Sequence, residues 1–386
     1  MFPTRRITTM GGDVFRDEYS LEFDGTSDYV NCGSSATLRT ANFTISAWVK
    51  FGATSTGVNT GIVSSIDNAD TDNRSGFSMI KKTNDKVEWR TGYTSTLQAS
   101  GSTTVLEVNR WYHIVQTYDG STQKGYIDGV LEDSDSYANF TVSTENFIIG
   151  GYYANAPTSL EMNGNISDVT YYNAALTANE VATIYNGREP YNHKEGVASS
   201  NLVSWWRMGD GDNDGFGSTG LALLTPNVAL IEDMATRPIF TDAITGWTNV
   251  DFDTFVTSGL DISSAISDGS ASHEIRSSVI DATAGDLFRV SFTIAGSIVP
   301  AVNLTFKLSG QTNLNSSVFD ILLSGAGDYD FVARFTATDS TSYMGFRAAS
   351  QACNFNISNF VCKKITGGNN GATLNMNRND FVGDRP

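Results

Sequence analysis

Short runs of alternating apolar and polar residues recur along this chain, and they restrict it to β structure. In FTISAWVKF (43–51), Phe43, Ile45, Ala47, Val49 and Phe51 fall at every second position, which puts them on one face of a strand. GIVSSI (61–66), GFSMIKK (76–82) and KVEWRT (86–91) follow, with a turn at Asn84-Asp85 between the last two. WYHIVQTYD (111–119) passes through Gly120 into KGYIDGVLED (124–133). Asp128-Gly129 is a two-residue hairpin signal, because both residue types tolerate positive φ. FIIGGY (147–152), NISDVTYYN (165–173) and NLVSWWRMGDGD (201–212) extend the series. One helix interrupts it. In LTANEVATIYNG (176–187), Thr177 and Glu180 form a capping box, Val181, Ile184 and Tyr185 form one apolar stripe, and Gly187 is a stop.

The texture changes after about residue 225. TGWTNVD (245–251) opens a second set of strands: HEIRSSVI (273–280), LFRVSFTIAG (287–296), AVNLTFKLSG (301–310), SVFDILLSG (317–325), YDFVARFTA (329–337), SYMGFRAAS (342–350) and FNISNFVCKKI (355–365). Leu304, Phe306 and Leu308 share a face. The expected organisation is all-β. It comprises an extended arm (1–18), a first sandwich (19–212), a second β-sandwich (226–365) and a tail without periodicity (366–386).

Composition removes several function classes. With 42 acidic against 25 basic residues and a net charge of -17, the chain is a poor partner for phosphate backbones, so no nucleic acid is expected. No stretch reaches the roughly 20 apolar residues of a membrane helix, and no membrane partner is expected. The N-terminus lacks the apolar core of a secretory signal, which points to assembly in a cytoplasm. Cys32, Cys353 and Cys362 give neither a disulfide framework nor a zinc pattern. Cys353 and Cys362 either pair across neighbouring strands or stay as buried thiols.

Two kinds of site residue stand out. In RMGDGDNDGFG (207–217), Asp210, Asp212, Asp214 and Gly215 match the start of an EF-hand loop. Position 12 of that loop would be Leu221, which cannot ligate, so the stretch is either a weaker metal loop or an acidic turn. Asp67, Asp70 and Asp72 form a further acidic loop. Trp89, Tyr93, Tyr152 and Tyr153 lie near loops or strand ends, where an aromatic ring can stack on a sugar; Trp48, Trp111, Trp205, Trp206 and Trp247 read as core. His113, His193 and His273 belong to no nucleophile or metal signature, and no ExDxxE acid strand occurs. The chain therefore reads as non-enzymatic.

YSLEFDGTSDYVNCG (19–33), FTISAWVKF, RWYHIVQTYDG (110–120), YIDGVL (126–131) and GNISDVTYYNAALTANEVATIYNG (164–187) together resemble the concanavalin A-like, laminin-G-like jelly roll. FTDAITGWTNVD (240–251) and AGDLFRVSFTIAG (284–296) resemble a carbohydrate-binding-module sandwich. The first resemblance implies a calcium ion (Ca2+) held by Asp24, Asp28 and Asp168; the alternative is that Asp24 and Asp28 shape a turn and Asp168 caps a strand end. NNGATLNMNRNDFVGD (369–384) is similar to the segment that directly follows the WWRMGDG strand in laminin-G-like phage proteins, so the second sandwich is expected as an insertion. With TRRITTMGGDVFRDEYSLEFDG at the start, the whole string resembles structural proteins of marine tailed phages. That resemblance implies a virion location, other virion proteins as partners, a homo-oligomer, and host-surface glycans as a ligand class. Arg5, Arg6 and Arg16 of the arm would dock on an acidic partner. A bacterial glycan-binding adhesin and a glycoside hydrolase with acids dispersed in sequence are the competing readings.

Overall fold

The computed structural model of the chain describes residues 15–53, 58–67, 75–93, 96–152, 160–210, 230–231, 233–235, 239–269, 272–297, 304–309, 314, 319–323, 325–335, 342–349, 352–374, 376 and 380–384. The first strands are β1 (Ser20–Asp24), β2 (Tyr29–Asn31), β3 (Phe43–Phe51), β4 (Thr60–Ile66), β5 (Gly76–Lys81), β6 (Lys86–Tyr93) and β7 (Thr96–Val105). Then come β8 (Trp111–Tyr118), β9 (Thr122–Ile127), β10 (Val130–Ser136), β11 (Ile148–Ile149), β12 (Asn163–Tyr172), helix α1 (Ala178–Tyr185), β13 (Leu202–Trp206) and β14 (Leu230–Ile231). The second set is β15 (Ile239–Asp242), β16 (Trp247–Val250), β17 (Thr254–Ser258), β18 (Asp261–Asp268), β19 (Ser272–Ser277) and β20 (Leu287–Ser297). It ends with β21 (Leu304–Ser309), β22 (Phe319–Leu322), β23 (Gly327–Arg334), β24 (Tyr343–Ala349) and β25 (Ala352–Thr366), and the chain closes with β26 (Gly371–Leu374) and β27 (Phe381–Val382).

Two eight-stranded sheets make the first sandwich. One runs β10-β9-β8-β3-β12-β1-β27 with β13 also on β12; the other runs β14-β26-β2-β11-β4-β5-β6-β7. Alternation does the sorting. Phe43, Ile45, Ala47, Val49 and Phe51 of β3 all face the shared core, with Phe77, Met79, Val87 and Trp89 opposite. Trp89 packs against Gly125 of β9 in the opposite sheet, where a Cβ would come within 2.2 Å of its ring, so the facing strand needs glycine there. Asp128 (φ 49°) and Gly129 (φ 77°) make the tight β9–β10 hairpin with both turn residues at positive φ. The Thr177–Glu180 capping box starts α1, and Asn186 at φ 51° ends it. Val181 and Ile184 of the helix pack with Val115, Tyr126 and Tyr172 on the outer face of the first sheet.

The second sandwich pairs a sheet of order β17-β18-β25-β20-β23, with β15 on β25, with one of order β16-β19-β24-β21-β22. Leu304, Phe306 and Leu308 are fully buried between them among Phe292, Phe331, Phe346, Phe355 and Phe360. Burial of each such side chain contributes about 1.5–3 kcal/mol. β18 (DISSAISD) escaped the sequence reading because serine fills positions where an apolar residue would have marked the face. Cys353 and Cys362 do not lie on neighbouring strands. Both are on β25, nine extended positions and roughly 30 Å apart, as buried free thiols.

Residues expected as the tail return to the first sandwich. β26 pairs with β2 and β14, and β27 pairs with β1. Strands of two to four residues carry too few alternations to read. Asp233, fully buried, binds the outgoing and returning chain together. Its carboxylate accepts from the N–H groups of Trp205 (3.0 Å), Ala235 (3.0 Å) and Asn369 (2.8 Å). The Trp206 indole donates to the Asn369 carbonyl at 2.8 Å. The WWRMGDG strand and the NNGATLNM segment are thus in contact, although about 160 residues of sequence separate them. Arg334 of β23 crosses to the first sandwich and donates to the Asn31 carbonyl at 2.6 Å.

Candidate functional site

The returning tail completes a cleft at one rim of the first sandwich. β1 ends at Asp24, opposite Asn163 at the start of β12. The turn that follows is shaped by Asp24, whose carboxylate accepts from Thr26 N (2.7 Å), Thr26 Oγ1 (2.6 Å) and Ser27 N (3.1 Å). Asp28 Oδ2 accepts from Asp24 N at 2.9 Å. Across the rim, Lys50 of β3 pairs with Asp384, which also accepts from the Trp111 indole at 3.3 Å. Glu22, Asp24, Asp28, Asn109, Asn163, Asn165 and Asp380 line the remaining walls of a cleft of about 530 Å3.

Its electrostatics follow from crowding. Burial pushes the Asp28 carboxyl up to about 7, and the neighbouring charges of Asp24 and Asp380 add to this against the Asp24 backbone bond. Burial also works to raise Asp24, but the Thr26 and Ser27 hydrogen bonds outweigh it and hold that carboxyl below the usual range. Burial lowers the Lys50 ammonium. The cleft therefore offers carboxylate and amide groups of both polarities to a polyhydroxylated ligand.

Asp168 is not part of this cleft. It sits farther along β12 at a bulge, with φ 51°, and is buried. Its carboxylate accepts from the Trp205 indole and lies 3.2 Å from His193 Nε2; His193 Nδ1 lies 2.6 Å from the Tyr172 hydroxyl. Burial alone would raise Asp168, but His193, Trp205 and Arg207 bring it below the ordinary carboxylate value. Asp17 stands beside it and is pushed up by burial and by the Asp168 and Asp210 charges. Arg207 lies between these acids and also stacks on Phe15, 4.6 Å from the ring. The three residues expected to hold calcium are placed apart: Asp24 and Asp28 share the rim turn, whereas Asp168 lies farther along β12, bonded to Trp205 and beside His193. The family resemblance alone groups Asp168 with the others; Asp24 pairs with Asn163, and Asp168 is several residues farther along the same strand.

Asp210 is a tether, not an open ligand. Its Oδ2 accepts from Glu18 N (2.8 Å) and Tyr19 N (2.9 Å), fixing the chain before β1. Asp212, Asp214, Asp70 and Asp72 lie outside the described residues, as do Arg5, Arg6 and Tyr153. Arg16 is exposed and pairs with Glu18. Two aromatic assignments are corrected. Trp89 is fully buried in the core because β6 alternation points it inward. Tyr152 is 4% exposed and receives a hydrogen bond from Arg90, so neither ring is available to a sugar. Tyr93 ends β6, and its side chain is outside the described set. Asp380 and Asp384 were missed as site residues, since only chain return brings them to the rim.

Residues 24–182 match the concanavalin A-like lectin/glucanases superfamily. The match covers less than half of the chain and spans β1's end through α1. A search of curated proteins finds no match. Among solved structures, a heptameric SAP-like pentraxin from Limulus polyphemus is 16% identical, with 45% of this chain and 83% of that chain covered and a TM-score of 0.36. The CBM40 module of Ruminococcus gnavus IT-sialidase, bound to α2,3-sialyllactose, is 13% identical over 43% of this chain and 96% of that one, with a TM-score of 0.38. Domain 4 of the Geobacillus stearothermophilus arabinanase AbnA, in complex with arabinotriose, is 21% identical over 38% and 67%, with a TM-score of 0.31.

Proposed function

We propose that this chain is a non-catalytic structural protein of a tailed-phage virion, a decoration, fibre or tail-associated component, whose first sandwich binds host-surface glycans at the rim cleft. The observation that carries the glycan reading is the cleft itself. Carboxylates and amides from four separate stretches line it, which is the chemistry that recognises neighbouring hydroxyls, and its volume suits a small saccharide. The superfamily match over residues 24–182 supports the same class. Support for the virion reading is the contact between the WWRMGDG strand and the NNGATLNM segment, which fits the direct succession that the sequence resemblance to laminin-G-like phage proteins implies. Virion partners, a homo-oligomer and a virion location belong to this proposal.

A glycan array on the full chain, with calcium and with chelator, tests it. Specific binding is expected, at least tenfold weaker in a Glu22→Gln, Asp380→Asn double variant with unchanged melting. Binding that ignores both substitutions would remove the cleft from the proposal. Loss of binding on chelation would bring Ca2+ back as a cofactor. Deletion of residues 1–14 is expected to abolish incorporation into particles while leaving melting unchanged, as read by blotting purified virions. Glycan binding by a protein that never enters particles would favour the adhesin.

A further inference from the structure

We propose that the second sandwich binds a divalent transition-metal ion at the rim where β17, β18 and β19 meet, through Asp253, Asp268 and His273. Asp253 immediately precedes β17, Asp268 ends β18, and His273 is the second residue of β19. One carboxylate oxygen of each aspartate and a ring nitrogen of His273 lie within 4.8 Å of one another. Among the described residues this is the one group of three or more potential His, Cys, Asp or Glu ligands.

The histidine distinguishes this group from an ordinary acidic turn. His273 is 2% exposed, while both aspartates face solvent. Its Nδ1 lies 2.9 Å from Ser267 Oγ, and Phe252 packs edge-on at 5.5 Å between centroids, so the ring orientation is set from two sides. Among the described residues the imidazole has no second hydrogen bond. A buried imidazole held at one nitrogen by an outer polar group is the usual posture of a metal-binding histidine. The loop is braced as well: Asp268 N donates to Asp253 Oδ2 at 2.7 Å, and Gly269 N donates to Ser267 Oγ at 3.2 Å.

The donor set selects the ion class. Calcium and magnesium favour oxygen-only shells, whereas imidazole with carboxylates suits zinc and its neighbours. Ligands about 2.1 Å from a tetrahedral ion stand roughly 3.4 Å from one another. Closing to that spacing needs only small movements of two exposed side chains. Three protein ligands leave one position for water. The bound ion would join β17 and β18 of one sheet to β19 of the other and so brace the rim of the sandwich.

Calorimetric titration of the full chain with zinc chloride, and with calcium chloride in parallel, tests the assignment. One Zn2+ per chain is expected, with a melting transition raised by several degrees and no comparable effect of calcium. His273→Gln and Asp253→Asn should each weaken zinc binding at least tenfold. Asp253 is exposed, so its variant keeps the fold and the test survives any damage from His273→Gln. Absence of saturable zinc binding, unchanged affinity in Asp253→Asn, or calcium binding as tight as zinc would each overturn the proposal.

Discussion

The two sandwiches differ in chain order and in which segments their buried polar groups join. The first is assembled from distant segments, and buried polar groups hold those segments together: Asp233 joins Trp205 to Asn369, Asp210 joins the end of β13 to Glu18 and Tyr19, and Asp168 joins β12 to His193 and Trp205. The second is one contiguous stretch from β15 to β25. Its core is built on packed phenylalanines; Arg289–Asp330 at 2.9 Å is partly exposed, while the buried Glu274 pairs with Arg276 and Arg347 inside the same sandwich. The lesson concerns what each kind of contact can do. Apolar burial is non-directional and suits elements that are already neighbours. A buried carboxylate is costly unless fully bonded, so it specifies which remote segment must dock.

That contrast can be broken most severely by truncation. Removal of residues 367–386 takes away β26 and β27 and the Asn369 contact. The first sandwich is expected to lose its cooperative melting transition, while residues 239–366 expressed alone stay folded by circular dichroism. Two intact transitions in the truncated chain would show that the returning strands are dispensable. Phe306→Ala should cost about 3–5 kcal/mol in urea unfolding, confined to the second sandwich. Asp233→Ala should cost about 1–3 kcal/mol in the first, because it strands buried N–H groups instead of opening a cavity.

A smaller effect depends on pH. Asp28 sits at about 7 in the fold, against roughly 4 in an unfolded chain. Between these values the folded form holds a proton that the unfolded form has released. Stability from this group therefore falls as pH rises from about 4 to 7, and the penalty is complete above that window. Asp28→Asn should gain on the parent protein as pH rises from 4 to 8, read from urea midpoints; a difference that is flat with pH would contradict it. The smallest expected change is Thr177→Ala, about 1 kcal/mol from loss of the helix cap. It should appear in the first sandwich's transition alone.

The fold was more legible than the site. Period-two runs such as FTISAWVKF and LTFKLS need only their own residues to declare a face, and the capping box at Thr177 declares a helix start in the same local way. Trp89 misled because ring exposure depends on the opposite sheet and on Gly125. Asp24 was readable as a turn former, since its partners lie two and three residues away. Asp168 was not, because its partners come from residues 193 and 205.

Local sequence determined the β character of the chain, the helix, the tight hairpin and most core faces, since backbone preference and side-chain alternation act over a few residues. Tertiary structure alone decided which acids share a space. Only there do Asp380 and Asp384 meet Asp28 and Lys50, and only there do two exposed aspartates come beside the buried ring of His273. Electrostatic and ligand-binding chemistry depends on distance through space, and chain return can make that distance small between residues hundreds of positions apart.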